Sequence, residues 1–240
     1  MQSSRITRWT RAGLTAAMTL ALALGAALST GGCAIGGAVG AMAQEFEYQK
    51  RVEVPAQYDL RNTSVAVVVH ADLATLYEFP SLTADVGGVV ASLIKQHVPG
   101  VTVMNPQYVS VWQQRTPNSQ TMPYGEIAAQ LGVDRVVLID IYEYRHNPPG
   151  NRWQWEGVCA SNVGIIERDA IDPDVFADMF NVISEFPNAP LLTRQEATDE
   201  QIRLGLMVEY TRQVSWLFYD HLEPKYPDKY RPEAEPRKKS

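Results

Sequence analysis

The sequence predicts an α/β fold, a mixed sheet of about five strands with the early strands parallel and the later ones antiparallel, packed helices and a long C-terminal helix. Three observations predict it. Val65-Ala66-Val67-Val68-Val69 is a continuous apolar and mostly β-branched run, which marks a strand buried on both faces. Residues 125–131 carry helical apolar spacing, reach Gly132 and pass into the apolar run 136–139, so a helix feeds a strand. Further on, strand-like runs are joined by short turns instead of helices, which makes those strands antiparallel.

The elements follow in order. Residues 81–97 read as a helix, because Val86, Val89, Val90, Leu93, Ile94 and His97 recur at three- and four-residue spacing, and Pro99-Gly100 stops it. Residues 101–104 form a short second strand ended by Asn105-Pro106, residues 108–114 a short helix, and residues 115–123, polar with two prolines, a surface loop. Gly132 fits a helix C-cap, where positive φ costs glycine least. The strand that starts at Val136 continues to Arg145, and Asn147-Pro148-Pro149-Gly150 turns the chain. Residues 153–168 read as a long antiparallel return strand bulged at Gly157, and residues 180–186 alternate with period two as one more. The last element is a helix over about 200–222. Thr198 caps it with Gln201 three residues on, and Ile202, Leu206, Tyr210, Val214, Leu217 and Phe218 face inward. Early strands linked through helices imply right-handed parallel crossovers.

Upstream of this domain the chain has a different character. Arg5, Arg8 and Arg11 precede a stretch from Ala12 to Gln44 without a charged residue. Residues 14–28 are apolar, and Ser29, Thr30, Gly31, Gly32 and Cys33 follow. A basic head, an apolar middle and a small-residue exit make a secretory signal. A cysteine directly after that exit resembles the lipobox of bacterial lipoproteins, although Thr30 stands where that family prefers Leu. The resemblance implies a signal peptide over 1–32, lipidation (palmitate) at Cys33, and a membrane anchor facing the periplasm. Two acyl chains hold stably, at roughly 0.8 kcal/mol per buried CH₂. Ala34 after the cysteine, in place of Asp, points to the outer membrane. Two other readings stay open: cleavage after Ala41-Met42-Ala43, releasing a product that starts at Gln44, or an uncleaved anchor over 12–43. All three export the rest of the chain. Residues 33–63 then serve as a flexible tether, 64–222 as a single α/β domain, and 223–240, with four prolines and many charges, as a disordered tail.

Composition excludes some function classes. Removing a segment that holds three arginines and no acid takes the net charge from −6 to −9. So acidic a domain is a poor partner for nucleic acid, whose non-specific affinity comes from basic patches. With Cys33 acylated, Cys159 has no intramolecular partner, which rules out a disulfide framework, and its apolar run reads as a buried hydrophobe. The sequence has no G-x-S-x-G, Walker or G-x-G-x-x-G motif, and His70, His97, His146 and His221 lack metal-ligand spacing. No cofactor or metal is expected.

The order of elements resembles a superfamily of bacterial envelope lipoproteins and periplasmic domains that includes the amino-terminal domain of TolB, LpoB and CsgG. The residues that carry it are the strand 65–69, the helix 83–97, the unit Ala128-Ala129-Gln130-Leu131-Gly132-Val133-Asp134 leading into 136–139, and the strand 157–167. The resemblance implies a non-enzymatic protein that binds other envelope proteins. Pore formation, as in CsgG, is not expected, because 105–123 is too short for spanning strands and contains Pro106, Pro117 and Pro123.

Two constellations remain. Tyr142, Tyr144, Trp153 and Trp155 flank the Asn147–Gly150 turn and could form one aromatic cluster across a hairpin, either packed beneath the last helix or exposed as a partner-binding patch. His70 and Asp72 follow the carboxyl end of the first strand, where open α/β sheets place ligands, and Asp140 lies on the third; a strand-end cap for Asp72 and an edge position for His70 compete with a site. The chain is therefore expected to be a membrane-tethered envelope lipoprotein, a non-catalytic protein-binding adaptor or regulator. The alternatives are a hydrolase of an envelope polymer acting through carboxylates, and a carrier of a small ligand.

Overall fold

Continuous burial of one apolar run organises the domain. The computed structural model describes residues 51–188 and 192–225; the signal segment, Cys33 and the tether as far as residue 50, together with the tail from 226, lie outside the described residues. Two short strands, β1 (Arg51–Val54) and β7 (His221–Pro224), pair with each other. The main sheet comprises β2 (Ser64–Ala71), β3 (Thr102–Val103), β4 (Arg135–Arg145), β5 (Gly157–Glu167) and β6 (Asp178–Phe186), in the order β3-β2-β4-β5-β6. The pairs β2–β3 and β2–β4 are parallel, and β4–β5 and β5–β6 antiparallel, which is the expected mixed five-stranded sheet.

The helices are α1 (Leu73–Glu78), α2 (Leu82–His97), α3 (Pro106–Arg115), α4 (Tyr124–Leu131) and α5 (Asp199–Trp216). Successive strand residues face opposite ways, and β2 is apolar from Val65 to Val69 because both its faces are covered. Val65, Val67 and Val69 pack with α2 and α5, while Ala66 and Val68 pack with α3 and α4. The terminal helix carries the expected capping box: Gln201 N–H donates to Thr198 Oγ1 (3.3 Å) and Thr198 N–H to Gln201 Oε1 (2.9 Å). All six residues expected on its inward face are buried. Gly132 adopts φ 67° at the end of α4, as its position required.

Several expectations are corrected. The folded body begins before Ser64: Leu60 is fully buried in the core, Tyr58 donates its hydroxyl hydrogen to Glu167, and the Gln57 and Tyr58 N–H groups both donate to the Leu217 carbonyl (2.8 and 3.0 Å). The bulge lies in β4, between Ile141 and Glu143, not at Gly157. Gly157 is needed for a different reason, since a Cβ there would meet the Phe186 carbonyl at 2.6 Å. The return strand starts at Gly157 instead of Trp153, because Arg145 donates to the carbonyls of Asn147 and Glu156 (both 3.0 Å) and holds the intervening segment as a wide loop. The last helix ends at Trp216, after which the chain extends into β7. In α2 the buried face runs through Leu82, Val86, Val90, Ala91 and Ile94, leaving Val89 exposed.

The orientation of α5 gives the first prediction. Leu206→Ala removes a fully buried side chain, and Leu204→Ala one that is 51% exposed on the same helix. Denaturant unfolding should register a loss of about 2–5 kcal/mol for the first and within about 0.5 kcal/mol for the second.

Candidate functional site

The strand order places a crevice at a defined point. From β2 the chain goes to one side to make β3 and then to the other to make β4. Connections that diverge in this way leave a gap beyond the carboxyl ends of the two strands, the usual ligand position in open α/β sheets. His70 sits near the end of β2, and Asp140 is its direct partner on β4. Alternation along both strands turns the two side chains to the face that carries α3 and α4. His70, Asp72 and Asp140, the trio singled out from the sequence, all line one cleft of about 610 Å³. Leu138 and Asn162 come from the sheet, Tyr124 and Ile127 from α4, and Phe176 and Met179 from the β5–β6 side.

The wall contributed by Phe176 depends on two glycines. A Cβ on Gly164 would lie 2.4 Å from the Phe176 ring, so the ring occupies the space a side chain would take. Phe176 stacks on Tyr124 at 4.2 Å, and Gly125 N–H donates to Asp174 Oδ1 (2.9 Å). These contacts hold the segment before β6 against the start of α4. At the other rim, Asn181 Nδ2 donates to Tyr142 Oη (2.9 Å) and to Asn162 Oδ1 (3.1 Å). Among the described residues no three His, Cys, Asp or Glu side chains converge as a metal-binding group.

The three titratable groups differ in their constraints. His70 is 8% exposed, and its Nε2 is buried with no hydrogen-bond partner among the described residues. Burial pushes its pKa below the ordinary 6.5, and Asp140 pulls weakly the other way. The neighbouring strand-end carbonyls are already served, Val69 by Gln113 Nε2 (2.9 Å) and Ala71 by Gln120 Nε2 (3.4 Å). Asp72 caps α1, accepting from Thr75 N–H (2.7 Å) and Thr75 Oγ1 (3.1 Å), which holds its carboxyl below the usual range. A carboxyl kept ionised in this way is unsuited to act as a general acid.

The four aromatic residues do not form one cluster. Tyr144 and Trp155 are buried, whereas Tyr142 is 47% and Trp153 79% exposed. Tyr144 meets Phe79 edge-on at 4.7 Å, and its hydroxyl lies 3.3 Å from His146 Nε2. Trp155 donates its Nε1 hydrogen to the Ala197 carbonyl (3.0 Å) beneath the Arg194 guanidinium. The bulge beside Tyr142 breaks strict alternation, and the wide loop takes both tryptophans off the strand, so the pairing assumed for a tight hairpin never forms. Burial raises the Cys159 thiol well above its usual pKa, leaving an unreactive side chain.

Sequence reasoning missed a second cleft, of about 870 Å³, at the end of that loop. Phe79, His146, Arg152, Trp153 and Arg194 are among its lining. His146 is buried between Asp199 (Nδ1 to Oδ1, 2.9 Å) and Tyr144. The Asn147-Pro148-Pro149-Gly150 turn was the available signal, read as a tight turn instead of the base of a wide loop.

No family model matches the chain, and no curated protein is similar to it in sequence. Solved structures with a similar arrangement include the PelC dodecamer from Paraburkholderia phytofirmans (9% identity, TM-score 0.42, covering 71% of this chain and 97% of that one). Lipoprotein GNA1162 from Neisseria meningitidis is similar at 12% identity and a TM-score of 0.38, covering 63% and 97%. The LpoB C-terminal domain from Salmonella enterica is similar at 10% identity and a TM-score of 0.27, covering 54% and 87%. Bacterial lipoproteins are thus among the similar folds, and likeness at this level does not extend to function.

The state of His70 is measurable. Histidine-selective ¹⁵N NMR should give it a midpoint below 6.5, and Asp140→Asn should lower that midpoint further by removing the one opposing charge. The unfolded chain holds this proton more tightly than the folded one. The His70 contribution is therefore absent above about pH 6.5, and stability falls as pH drops from there toward the folded midpoint.

Proposed function

We propose that this chain is a membrane-tethered lipoprotein of the bacterial envelope whose domain binds other envelope proteins without catalysing a reaction. In this reading Cys33 carries the lipid, palmitate among its acyl chains, the outer membrane holds the anchor, and the domain faces the periplasm. Kinship with the TolB amino-terminal domain and CsgG belongs to the same proposal.

The observation that carries it is Trp153, an indole 79% exposed beside the larger cleft. Large exposed aromatics are costly to leave in water and are enriched at interface hot spots. Glu78 and Phe79, at the end of α1, line the same cleft, and α1 exposes Leu73 (83%) and Tyr77 (91%) with no buried residue of its own. Of the four aromatics expected to bind a partner, Tyr142 and Trp153 are free to do so, while Tyr144 and Trp155 serve the interior. The reactive groups also suit binding better than bond-making, with the Cys159 thiol inert and Asp72 occupied as a cap.

Metabolic labelling with palmitate tests the anchor: Cys33→Ser should lose the label and leave the membrane fraction. A photo-crosslinker at Trp153 in intact cells that make the protein should yield a discrete larger adduct. The same probe at Leu204, exposed on α5, should yield none. Labelling that survives the Cys33 change, or equal capture at both positions, contradicts the proposal.

A further inference from the structure

The cleft between β2 and β4 has features that the adaptor reading does not use. Asp140 is exposed, and its carboxylate, unlike its ladder-paired backbone, makes no hydrogen bond or ion pair among the described residues. Beside it, His70 is more than nine-tenths buried, lines the cleft, and leaves Nε2 without a partner. Folded chains seldom leave a buried polar atom unserved, and a bound group is one explanation for such an atom. We infer that this cleft binds a primary alkylammonium group, its head on the Asp140 carboxylate and its methylene stem along Leu138, Ile127 and Met179.

Charge selects the head. Asp72 and Asp140 both line the cleft, and no lysine or arginine does. Asp174, which accepts from Gly125 N–H next to Tyr124 of the lining, adds a further acid close by. Arg135 and Arg168 lie at the opposite end of the strands, bound to Asp169 and Asp134, and Arg145 is taken by Glu143 and Glu156. A phosphate or carboxylate would meet two acids and no lysine or arginine in this lining. A divalent ion would want several convergent oxygen ligands, and no group of three exists among the described residues. An ammonium needs one free carboxylate, and hydrogen bonds between charged partners are about twice as strong as neutral ones. Burial disfavours a charge on His70, so its ring adds little repulsion toward a cation held by Asp140.

Shape selects the stem. Leu138, Ile127, Phe176 and Met179 give the cleft an apolar side, and about 610 Å³ suits a ligand of a few heavy atoms up to drug size. A free alkylamine and a lysine side chain of another protein share this chemistry. The inference holds whether or not the domain is an adaptor.

Calorimetric titration of the full chain with n-pentylammonium chloride, and separately with Nα-acetyl-lysine methylamide, tests it. Saturable binding is expected for at least one, weakened about tenfold or more in Asp140→Asn. Tighter binding of the capped lysine identifies a side chain as the source, and tighter binding of pentylammonium a free amine. 1-Pentanol, with the same stem and no charge, should not bind, and that comparison needs no variant. Equal binding of pentanol, stronger binding of glucose or phosphate than of either amine, or an Asp140→Asn variant that folds and binds unchanged would overturn the inference.

Discussion

The parallel ladder between β2 and β4 is the constraint on which the rest of the domain depends. It joins Val65 to Arg135 at one end and Ala71 to Ile141 at the other, and within it His70 lies opposite Asp140. A slip of one residue would turn every side chain of one strand to the wrong face. Val65, Val67 and Val69 would leave the α2–α5 core, and His70 would leave the cleft. The site and the core are therefore specified by the same register.

That register is set by a polar lock at the start of the two strands. Asp134 accepts from Ser64 N–H (3.0 Å) and Ser64 Oγ (2.5 Å), and its own N–H donates to Ser64 Oγ (2.9 Å). Arg168, just after β5, donates to the other carboxylate oxygen (2.7 Å). One side chain thus ties together the entry of β2, the entry of β4 and the exit of β5. Gly132 makes this possible by reversing the chain at the end of α4 so that Asp134 arrives beside Ser64. The lock and the cleft sit at opposite ends of the same ladder, so the acidic end is left without the arginines that the lock consumes.

Long periodic segments were legible in the sequence because burial on defined faces wrote them there. The β2 run, the α5 stripe with its Thr198 capping box, and Gly132 all follow from local chemistry. His70, Asp72 and Asp140 were legible as a group because strand order implies where a crevice falls. What stayed hidden depends on partners distant in sequence. Tyr58 and Leu60 look like tether until Glu167, Leu217 and the core meet them. The short helix α1 only half-buries Leu76 against the core and left no apolar stripe to read. The bulge at Tyr142 is a property of two strands together, and it parts Tyr142 from Tyr144, which one-strand alternation would align.

The bulge has a further consequence for how the two clefts relate. Before it, β4 sends Asp140 to the cleft beside His70; after it, Tyr144 points to the core, and His146 and Arg145 reach the cleft beside Trp153. If Tyr142 were paired in regular alternation, Tyr144 would fall on the face of Asp140 and Tyr142, and the Phe79–Tyr144–His146 packing that supports the loop could not form. One irregularity therefore lets a single strand furnish an acidic, partly apolar recess at its middle and an aromatic, arginine-bearing surface at its end. Two differently lined surfaces are thus carried by one strand.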